Sequence, residues 1–343
     1  MTIFKRNIIE LLISSIIGAV VYSSCVKGDV ITSPKGVDVL FNYSYNTLNS
    51  NAFGEEADRV FLYVFNQDSL LVAQESVEGT GVTNDLRIPL PHITAGKFFF
   101  AAIAYSTDVQ GPFADFKVSD MPMGESKLAD LKARLNLSDN RVQSHELNDF
   151  LIGYSSVDII NDSTIQTVTI DMKKVNRKIR IVLLPMRAGA EVPDLATFDF
   201  KIVDWLSSGE IDYKYEQLRG DGVTYKPYFQ TITTPENGDT LPKDEINSAV
   251  IAEINTARLI TVNKPKLIIT DNTTQKQVVK FDLIWIISLI EMKENAAKWS
   301  LQEYLDREDH YTISLFFDSD TATFLRTTIV INGWVINLDD IGL

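Results

Sequence analysis

Hydrophobic and polar residues alternate with a period of two along much of this chain, a pattern that predicts short β-strands. Two prolines in Leu86–Pro91 place that strand at a sheet edge, because proline has no amide hydrogen to donate. A turn predicted at Asn66–Asp68 makes Leu70–Glu75 the hairpin partner of the preceding strand. The strands predicted in the first half are Val37–Tyr45, Arg59–Asn66, Leu70–Glu75, Leu86–Pro91, Phe98–Tyr105 and Ile165–Met172.

The strand pattern starts again near Lys173–Arg180, where a second domain could open. Between Ser207 and Lys243 the periodicity is weak, and we expect loops with short strands. Phe281–Ile290 is apolar but too short to cross a bilayer, which needs about 20 residues, so we expect it in the core. The strands predicted in the second half are Lys178–Leu184, Phe198–Asp204, Ala257–Asn263, Lys266–Thr270, Gln277–Leu283, Tyr311–Phe317 and Thr327–Leu338.

One segment has a helical pattern. Apolar residues in Ser126–Leu137 stand at 128, 131 and 135, a spacing that predicts a helix. Many short strands, turn signals and few short helices together predict a mostly β protein. Sandwich domains are the expected way to bury two-faced sheets.

The first 25 residues have the layout of an export signal. Lys5 and Arg6 are followed by an apolar run, Leu11–Tyr22, and then by small residues. Cys25 is the only cysteine of the chain, and it stands where a bacterial lipoprotein signal is cut and the thiol acylated. Tyr22, three residues before it, and Glu10 depart from the usual signal. An ordinary signal peptide with an incidental cysteine therefore stays open as the alternative.

We expect residues 1–24 to be removed and Cys25 to carry lipid. Each buried methylene of an acyl chain contributes about 0.8 kcal/mol, and stable anchoring takes more than one chain. Residues 25–36 are polar and contain Gly28, Pro34 and Gly36, which predicts a tether between the lipid and the first domain.

The charge of the chain limits its partners. The net charge of 343 residues is −14, and removal of the leader takes away two cations and one anion, leaving −15. Such a chain is unsuited to nucleic acid, whose phosphates favour lysine and arginine, and to a polybasic contact with anionic lipid. With a single cysteine it has no intramolecular disulfide, so its stability must come from packing.

Candidate chemistry is sparse. His92, His145 and His310 are far apart in sequence and have no ligand spacing. Gly153–Val157 resembles the start of a nucleophile elbow but lacks the final glycine. The charged run Glu303–Asp309 predicts a helical turn with local ion pairs rather than a catalytic carboxylate pair. We therefore predict no catalytic residue, no cofactor and no metal site.

Three binding features are weighed as alternatives. Arg219-Gly220-Asp221 spells a tripeptide that host adhesion receptors bind, although such short matches arise often by chance. Asp318–Asp320 has too few ligands for a calcium loop. A glycan platform is the third possibility, and its candidate residues are Trp205, Tyr213, Tyr215, Tyr225 and Tyr228.

Several segments together resemble the FimB-type fimbrial anchor subunits, the lipoproteins of type V pili. The pair formed by Leu301–Tyr311 (LQEYLDREDHY) and the INGW of Ile329–Leu338 carries most of the likeness. The other segments are the Cys25 head, Val37–Tyr45, Glu56–Phe65, Gly96–Tyr105 and Val175–Leu184.

The resemblance implies two tandem transthyretin-like β-sandwich domains, which we expect at residues 37–174 and 175–343. It also implies a lipid-anchored subunit at the base of a fimbria on the outer membrane, which holds the fibre and limits its length. Its partners would be the other fimbrial subunits, above all the major stalk subunit. They would be joined by donor-strand-type complementation, in which one subunit adds a strand to the sheet of another.

Major subunits of such pili lose an N-terminal strand to an arginine-specific protease. Between Cys25 and Arg59 this chain has Lys27 and Lys35 but no arginine, and Arg59 begins a predicted core strand. We therefore expect the first strand and the lipid to be kept. A stalk or tip subunit remains the alternative.

Replacing the cysteine tests the lipid anchor. We expect Cys25→Ala to move the protein from the membrane fraction to the soluble fraction, because no acyl chain can then be attached. Immunoblots of fractionated cells measure this, with Ser24→Ala as the matched control. Membrane fractionation of Cys25→Ala at the wild-type level would contradict the prediction.

Overall fold

Strand β1 (Val37–Asn42) opens the part of the chain that the computed structural model describes: residues 36–112, 114–160, 164–185, 194–233, 248–294, 298–318, 323–331 and 334–337. The further strands of the first half are β2 (Arg59–Phe65), β3 (Leu71–Glu78), β4 (Arg87–Leu90), β5 (Gly96–Tyr105), β6 (Lys117–Val118), β7 (Lys132–Arg134), β8 (Val142–Gln143), β9 (Phe150–Ile159) and β10 (Gln166–Lys174).

The second half is also built mainly of strands. They are β11 (Arg177–Pro185), β12 (Phe198–Asp204), β13 (Ser207–Asp212), β14 (Gln217–Arg219), β15 (Val223–Tyr225), β16 (Phe229–Thr233), β17 (Ala249–Thr256), β18 (Lys266–Asp271), β19 (Lys276–Asp282), β20 (His310–Asp318), β21 (Thr323–Ile331) and β22 (Trp334–Asn337). The α-helices of the described residues are α1 (Phe53–Glu56), α2 (Leu283–Glu294) and α3 (Leu301–Arg307). None of them is long and apolar enough to span a bilayer. The prediction of a mostly β fold is confirmed.

A seven-stranded sheet in the order β3-β2-β5-β9-β10-β1-β4 contains all strands of the first half except β6, β7 and β8. Strand β10 belongs to both of its wings: residues 166–171 pair with β1, and residues 172–174 pair with β9. Alternate side chains of β1, such as Val39 and Phe41, are buried between the wings together with Phe53 of α1. Strand β10 therefore connects the two wings that line the first core. Strand β4 ends the sheet, as its prolines predicted.

Three further sheets enclose the second core. Strand β11 lies inside the six-stranded sheet β16-β17-β11-β20-β21-β22, antiparallel to β17 and parallel to β20. The other two sheets have the orders β19-β18-β12-β15-β8 and β14-β13-β7-β6. Both include strands from each half, since β8 pairs with β15 and β7 pairs with β13. The second core accordingly continues from Phe150 and Ile152 of β9 to Ile179 and Ile181 of β11.

The helix predicted at Ser126–Leu137 is wrong. A 3-10 turn at Leu128–Asp130 precedes strand β7 there. Leu131, Ala133 and Leu135 are all buried, which is a period of two. The helical spacing of 128, 131 and 135 was coincidental, because it passed over Ala133.

The strand predicted at Ala257–Asn263 is also wrong. This segment is a loop, and the side chain of Gln302 supplies the hydrogen bonds that a neighbouring strand would give. Its Nε2 donates to the Leu259 carbonyl at 2.8 Å, and its Oε1 accepts from the Thr261 amide at 2.9 Å. The actual strand, β17, precedes the loop.

The apolar run Phe281–Ile290 contributes to the core, as its length predicted. Most of it lies in helix α2, where Leu283, Ile286 and Ile287 are fully buried. The one charged residue of the run, Asp282, has a structural role at the start of this helix. It accepts a hydrogen bond from the Trp285 amide and pairs with Lys266 at 3.1 Å.

Gly153 leaves room for side chains of β10, the antiparallel neighbour of β9. A Cβ atom at this position would lie 2.5 Å from both Ile170 Cγ2 and Met172 Sδ. We expect Gly153→Ala to lower the free energy of unfolding by about 1–3 kcal/mol, the usual penalty for overpacking a core. Urea denaturation followed by circular dichroism measures this.

The matched control is Gly81→Ala, at an exposed position where the new methyl group would meet only the Val77 side chain. Here we expect a change within about 0.5 kcal/mol. Equal stability of the two variants would show that position 153, between β9 and β10, tolerates a side chain.

Candidate functional site

The two halves meet in a segment that is entirely buried. Strand β10 passes into β11 through Lys174-Val175-Asn176-Arg177, and the side chains of Lys174 and Arg177 are only 2% and 0% exposed. We call these four residues together with helix α3 the joint. Two cations buried at one place require compensation, because removing a charge from water costs several kcal/mol.

Three carboxylates surround the Lys174 ammonium. Its Nζ lies 2.7 Å from Glu56 Oε2, 3.0 Å from Asp149 Oδ1 and 2.5 Å from Asp309 Oδ2. Glu56 comes from α1, Asp149 precedes β9, and Asp309 lies between α3 and β20. One side chain therefore ties two segments of the first half to one of the second.

Burial and charge set the pKa values of this cluster. Burial favours the neutral form of Lys174, but the three carboxylates outweigh it and raise its pKa. Burial raises the pKa of Glu56, and nearby Asp149 and Asp309 oppose the effect of Lys174 there. For Asp309, burial is outweighed by a hydrogen bond from His310 and by the charge of Lys174, so its pKa is lowered.

Arg177 closes the carboxyl end of helix α3. Its Nε donates to the Leu305 carbonyl at 2.9 Å, and its Nη2 donates to the Asp306 carbonyl at 2.9 Å. The last carbonyls of a helix have no partner within it and carry partial negative charge, so a buried guanidinium is favourable there. Nη1 donates to the carbonyls of Lys174 and Asn176, each at 2.8 Å.

Asp306 is the buried acid of the joint. Arg258 donates two hydrogen bonds of 2.7 Å to its carboxylate, from Nε and from Nη2. The guanidinium carbon of Arg258 also lies 4.1 Å from the centroid of the Tyr215 ring. The Tyr215 hydroxyl accepts from Arg177 at 3.0 Å and donates to the Lys174 carbonyl at 2.6 Å. Bidentate pairing with further hydrogen bonds is the arrangement that best offsets charge burial.

Helix α3 is short and strongly fixed at both ends. Ser300 caps its start by accepting from the Glu303 amide, and Arg307 pairs with Glu303 one turn earlier at 2.9 Å. Arg307 also donates to the Asn46 carbonyl and to Asn49 Oδ1, and it lies 4.3 Å from the Tyr45 ring centroid. The prediction of a helical turn with ion pairs at Glu303–Asp309 is confirmed, and the charges prove to join the halves.

The contacts of the joint are suited to holding the two halves of the protein together. Lys174, Arg177, Arg258 and Asp306 are each engaged by several protein groups. No group of three potential metal ligands occurs among the residues described. His92, His145 and His310 are exposed and lie in separate segments, with His310 Nδ1 2.7 Å from Asp309 Oδ1.

The remaining sequence candidates lie apart from the joint. Ser155 stands inside strand β9 rather than at a turn. Arg219–Asp221 is exposed and begins at the last residue of β14. Its glycine is required by packing, because a Cβ at Gly220 would lie 2.7 Å from Ser208 Cα. Asp318 ends β20, whereas Asp320 lies outside the described residues. Cys25 and residues 1–35 lie outside them too.

The five aromatic candidates do not form one platform. Tyr215 and Tyr225 are buried, and Tyr228 is half-buried and donates to Glu253 at 2.8 Å. Trp205 is 51% exposed, while Tyr213 packs against the second core.

The fold and the joint define a mostly β protein with two hydrophobic cores. The model of the Mfa2 family, described as fimbrillin-A associated anchor proteins Mfa1 and Mfa2, matches residues 32–340. This chain belongs to that family. No curated protein matches it.

Solved structures agree with this assignment. A candidate polysaccharide-binding protein from Bacteroides thetaiotaomicron is 25% identical, with a TM-score of 0.72 and coverage of 88% of this chain and 97% of that one. A candidate adhesin from the same species is 24% identical, with a TM-score of 0.75 and coverage of 89% and 98%. The fimbrial anchor protein Mfa2 from Porphyromonas gingivalis is 16% identical, with a TM-score of 0.63 and coverage of 89% and 99%. The last two show likeness of fold alone.

Removing the buried acid tests the joint. We expect Asp306→Ala to lower the free energy of unfolding by about 3–5 kcal/mol, because it leaves Arg258 and Arg177 buried without their carboxylate. Chemical denaturation measures this. The control is Glu210→Ala, whose partner Arg134 is largely exposed, with an expected loss below about 1 kcal/mol. Similar small losses in both variants would contradict the role of the joint.

Proposed function

We propose that this protein is the lipid-anchored subunit at the base of a fimbria, which attaches the fibre to the outer membrane and limits its length. Membership of the anchor family supports a structural role rather than an enzymatic one. The predicted leader, residues 1–24, directly before Cys25 supports export and lipid attachment. The proposed domains are residues 37–174 and 175–343, connected through the joint and through β7 and β8 of the first, which pair with strands of the second.

The placement of β1 carries this proposal. The strand pairs with β10 on one side and with β4 on the other. Val37, Val39 and Phe41 are buried in the first core. Loss of β1 would expose this core, and it would also separate the folded domains from Cys25. A subunit that stays fixed needs the strand in place.

The nearest arginine after Cys25 supports retention of β1. Arg59 is the first residue of β2, whose backbone pairs with β3 and with β5. A protease needs an accessible, extended segment, and a strand bonded on both sides does not provide one. Arginine-specific trimming at this position is therefore disfavoured in the folded protein.

Attachment of the stalk subunit would use strand addition. Strands β16 and β22 end the six-stranded sheet, and among the described residues each has one edge without a neighbouring strand of that sheet. An edge strand offers unpaired amides and carbonyls to an incoming segment. Head-to-tail contacts of this kind do not close on themselves, so they build filaments that need a fixed first subunit.

Intact mass of the surface protein tests the proposal. We expect a chain that begins at Cys25 and carries acyl groups, because β1 and the lipid are retained. In cells lacking the protein, we expect fimbriae to be shed into the medium or to grow abnormally long, as seen by electron microscopy. Restoring the gene is the control.

Two results would contradict the anchor role. A mature form that begins after about residue 50 would favour a stalk or tip subunit. Fimbriae that stay attached and of normal length in the deletion strain would exclude an anchoring function.

A further inference from the structure

A cleft of about 470 Å³ opens beside the joint, between the outer face of β9–β10 and the β13–β14 hairpin. We call it the hairpin cleft. Its volume lies in the range of small-ligand sites, roughly 300–1,000 Å³. The side chains that give it its chemistry are Tyr154, Asp171, Lys173, Tyr213, Lys214 and Glu216.

The hairpin that forms one wall is held rigidly. Asp212 Oδ1 accepts from the amides of Lys214 and Glu216, both at 2.9 Å. Tyr215, between these two residues in the turn, has a φ of 69°, and its hydroxyl donates a hydrogen bond to a carbonyl of the joint. Tyr213 and Lys214 are therefore presented by a turn that is fixed before any ligand arrives, which lowers the ordering cost of binding.

The opposite wall meets the hairpin through aromatic rings. Tyr154 and Tyr213 are half-buried, and their ring centroids lie 5.1 Å apart at an interplanar angle of 63°. The ring of Phe99 stacks with that of Tyr154, with a centroid distance of 6.4 Å. The cleft thus offers partly exposed aromatic surface whose orientation is set by packing.

Charged groups of both signs surround these rings. The Lys173 ammonium lies 4.7 Å from the Tyr45 ring centroid and 5.4 Å from that of Tyr215, and no carboxylate of the described residues is within ion-pair distance of it. Asp171 is fixed by a hydrogen bond of 2.8 Å from Asn42. Lys214 and Glu216 add one further charge of each sign. The cleft therefore offers donors and acceptors with no net formal charge.

This combination points to one class of ligand. An anionic ligand would meet two carboxylates, a cationic ligand would meet two ammonium groups, and a purely apolar ligand would leave four charged groups desolvated. A neutral sugar fits each feature: its C–H face packs on tyrosine rings, and its hydroxyls both donate and accept. We propose that the hairpin cleft binds a neutral oligosaccharide. The inference does not depend on the anchor role.

Binding to defined sugars tests this. The probes are malto-, cello-, xylo-, manno- and laminarihexaose with hexagalacturonic acid as the acidic comparison, added at millimolar concentration to the full chain in detergent. Calorimetry should detect at least one neutral hexasaccharide. Tyr213→Ala and Lys214→Met should each weaken its binding about tenfold or more, as expected for central contacts.

Trp205→Ala is the matched control, because it removes an exposed aromatic ring outside the hairpin cleft. It should leave binding within about twofold of wild type. Lys214 is exposed, so its variant keeps the test valid if Tyr213→Ala unfolds. Binding of no neutral hexasaccharide, of hexagalacturonic acid alone, or equally by Lys214→Met and wild type would overturn the inference.

Discussion

The burial of two cations, Lys174 and Arg177, is the constraint on which the structure depends. Each ion loses several kcal/mol of hydration, and this loss is offset only when every partner is in place. For Lys174 the partners are carboxylates from three separate segments. For Arg177 they are chiefly carbonyls at the end of helix α3. The two halves are consequently held in one arrangement, because any other would leave a buried charge unpaired.

Contacts in the joint also explain how a short helix and a short hairpin each keep one conformation. Helix α3 has seven residues, too few to be stable alone. It persists because Ser300 caps its start, Arg177 binds its terminal carbonyls, and Asp306 is held by Arg258. The same contacts fix Tyr215, which in turn fixes the β13–β14 hairpin. One polar cluster thus sets the geometry of both the joint and the neighbouring cleft.

Period-two patterns predicted most strands because one face of each strand lies on a core, as in β1, β10 and β12. Apolar spacing predicted a wrong element where a segment hydrogen-bonds to a side chain instead of to a strand, or where the spacing fits both a helix and a strand. Leu128, Leu131 and Leu135 fit a helix, although Ala133 completes a strand alternation. The Ala257–Asn263 loop forms hydrogen bonds with the side chain of Gln302, some forty residues away, and no local pattern predicts such a contact. Arg177 could have been found, since it stands in phase with Ile179 and Ile181 on the buried face of β11.

The sequence alone determined the β class, the edge position of β4 and the helical turn with its charge cluster at residues 303–309, because each depends on local spacing or composition. The lipid site at Cys25 stays a prediction. Only the tertiary structure decided that this charge cluster joins two halves, that β10 pairs with strands of both wings, and that the aromatic candidates are dispersed. Those features depend on which segments meet. Lys174 meets Glu56 and Asp309 across more than a hundred positions of sequence, and such separations leave no mark on a local pattern.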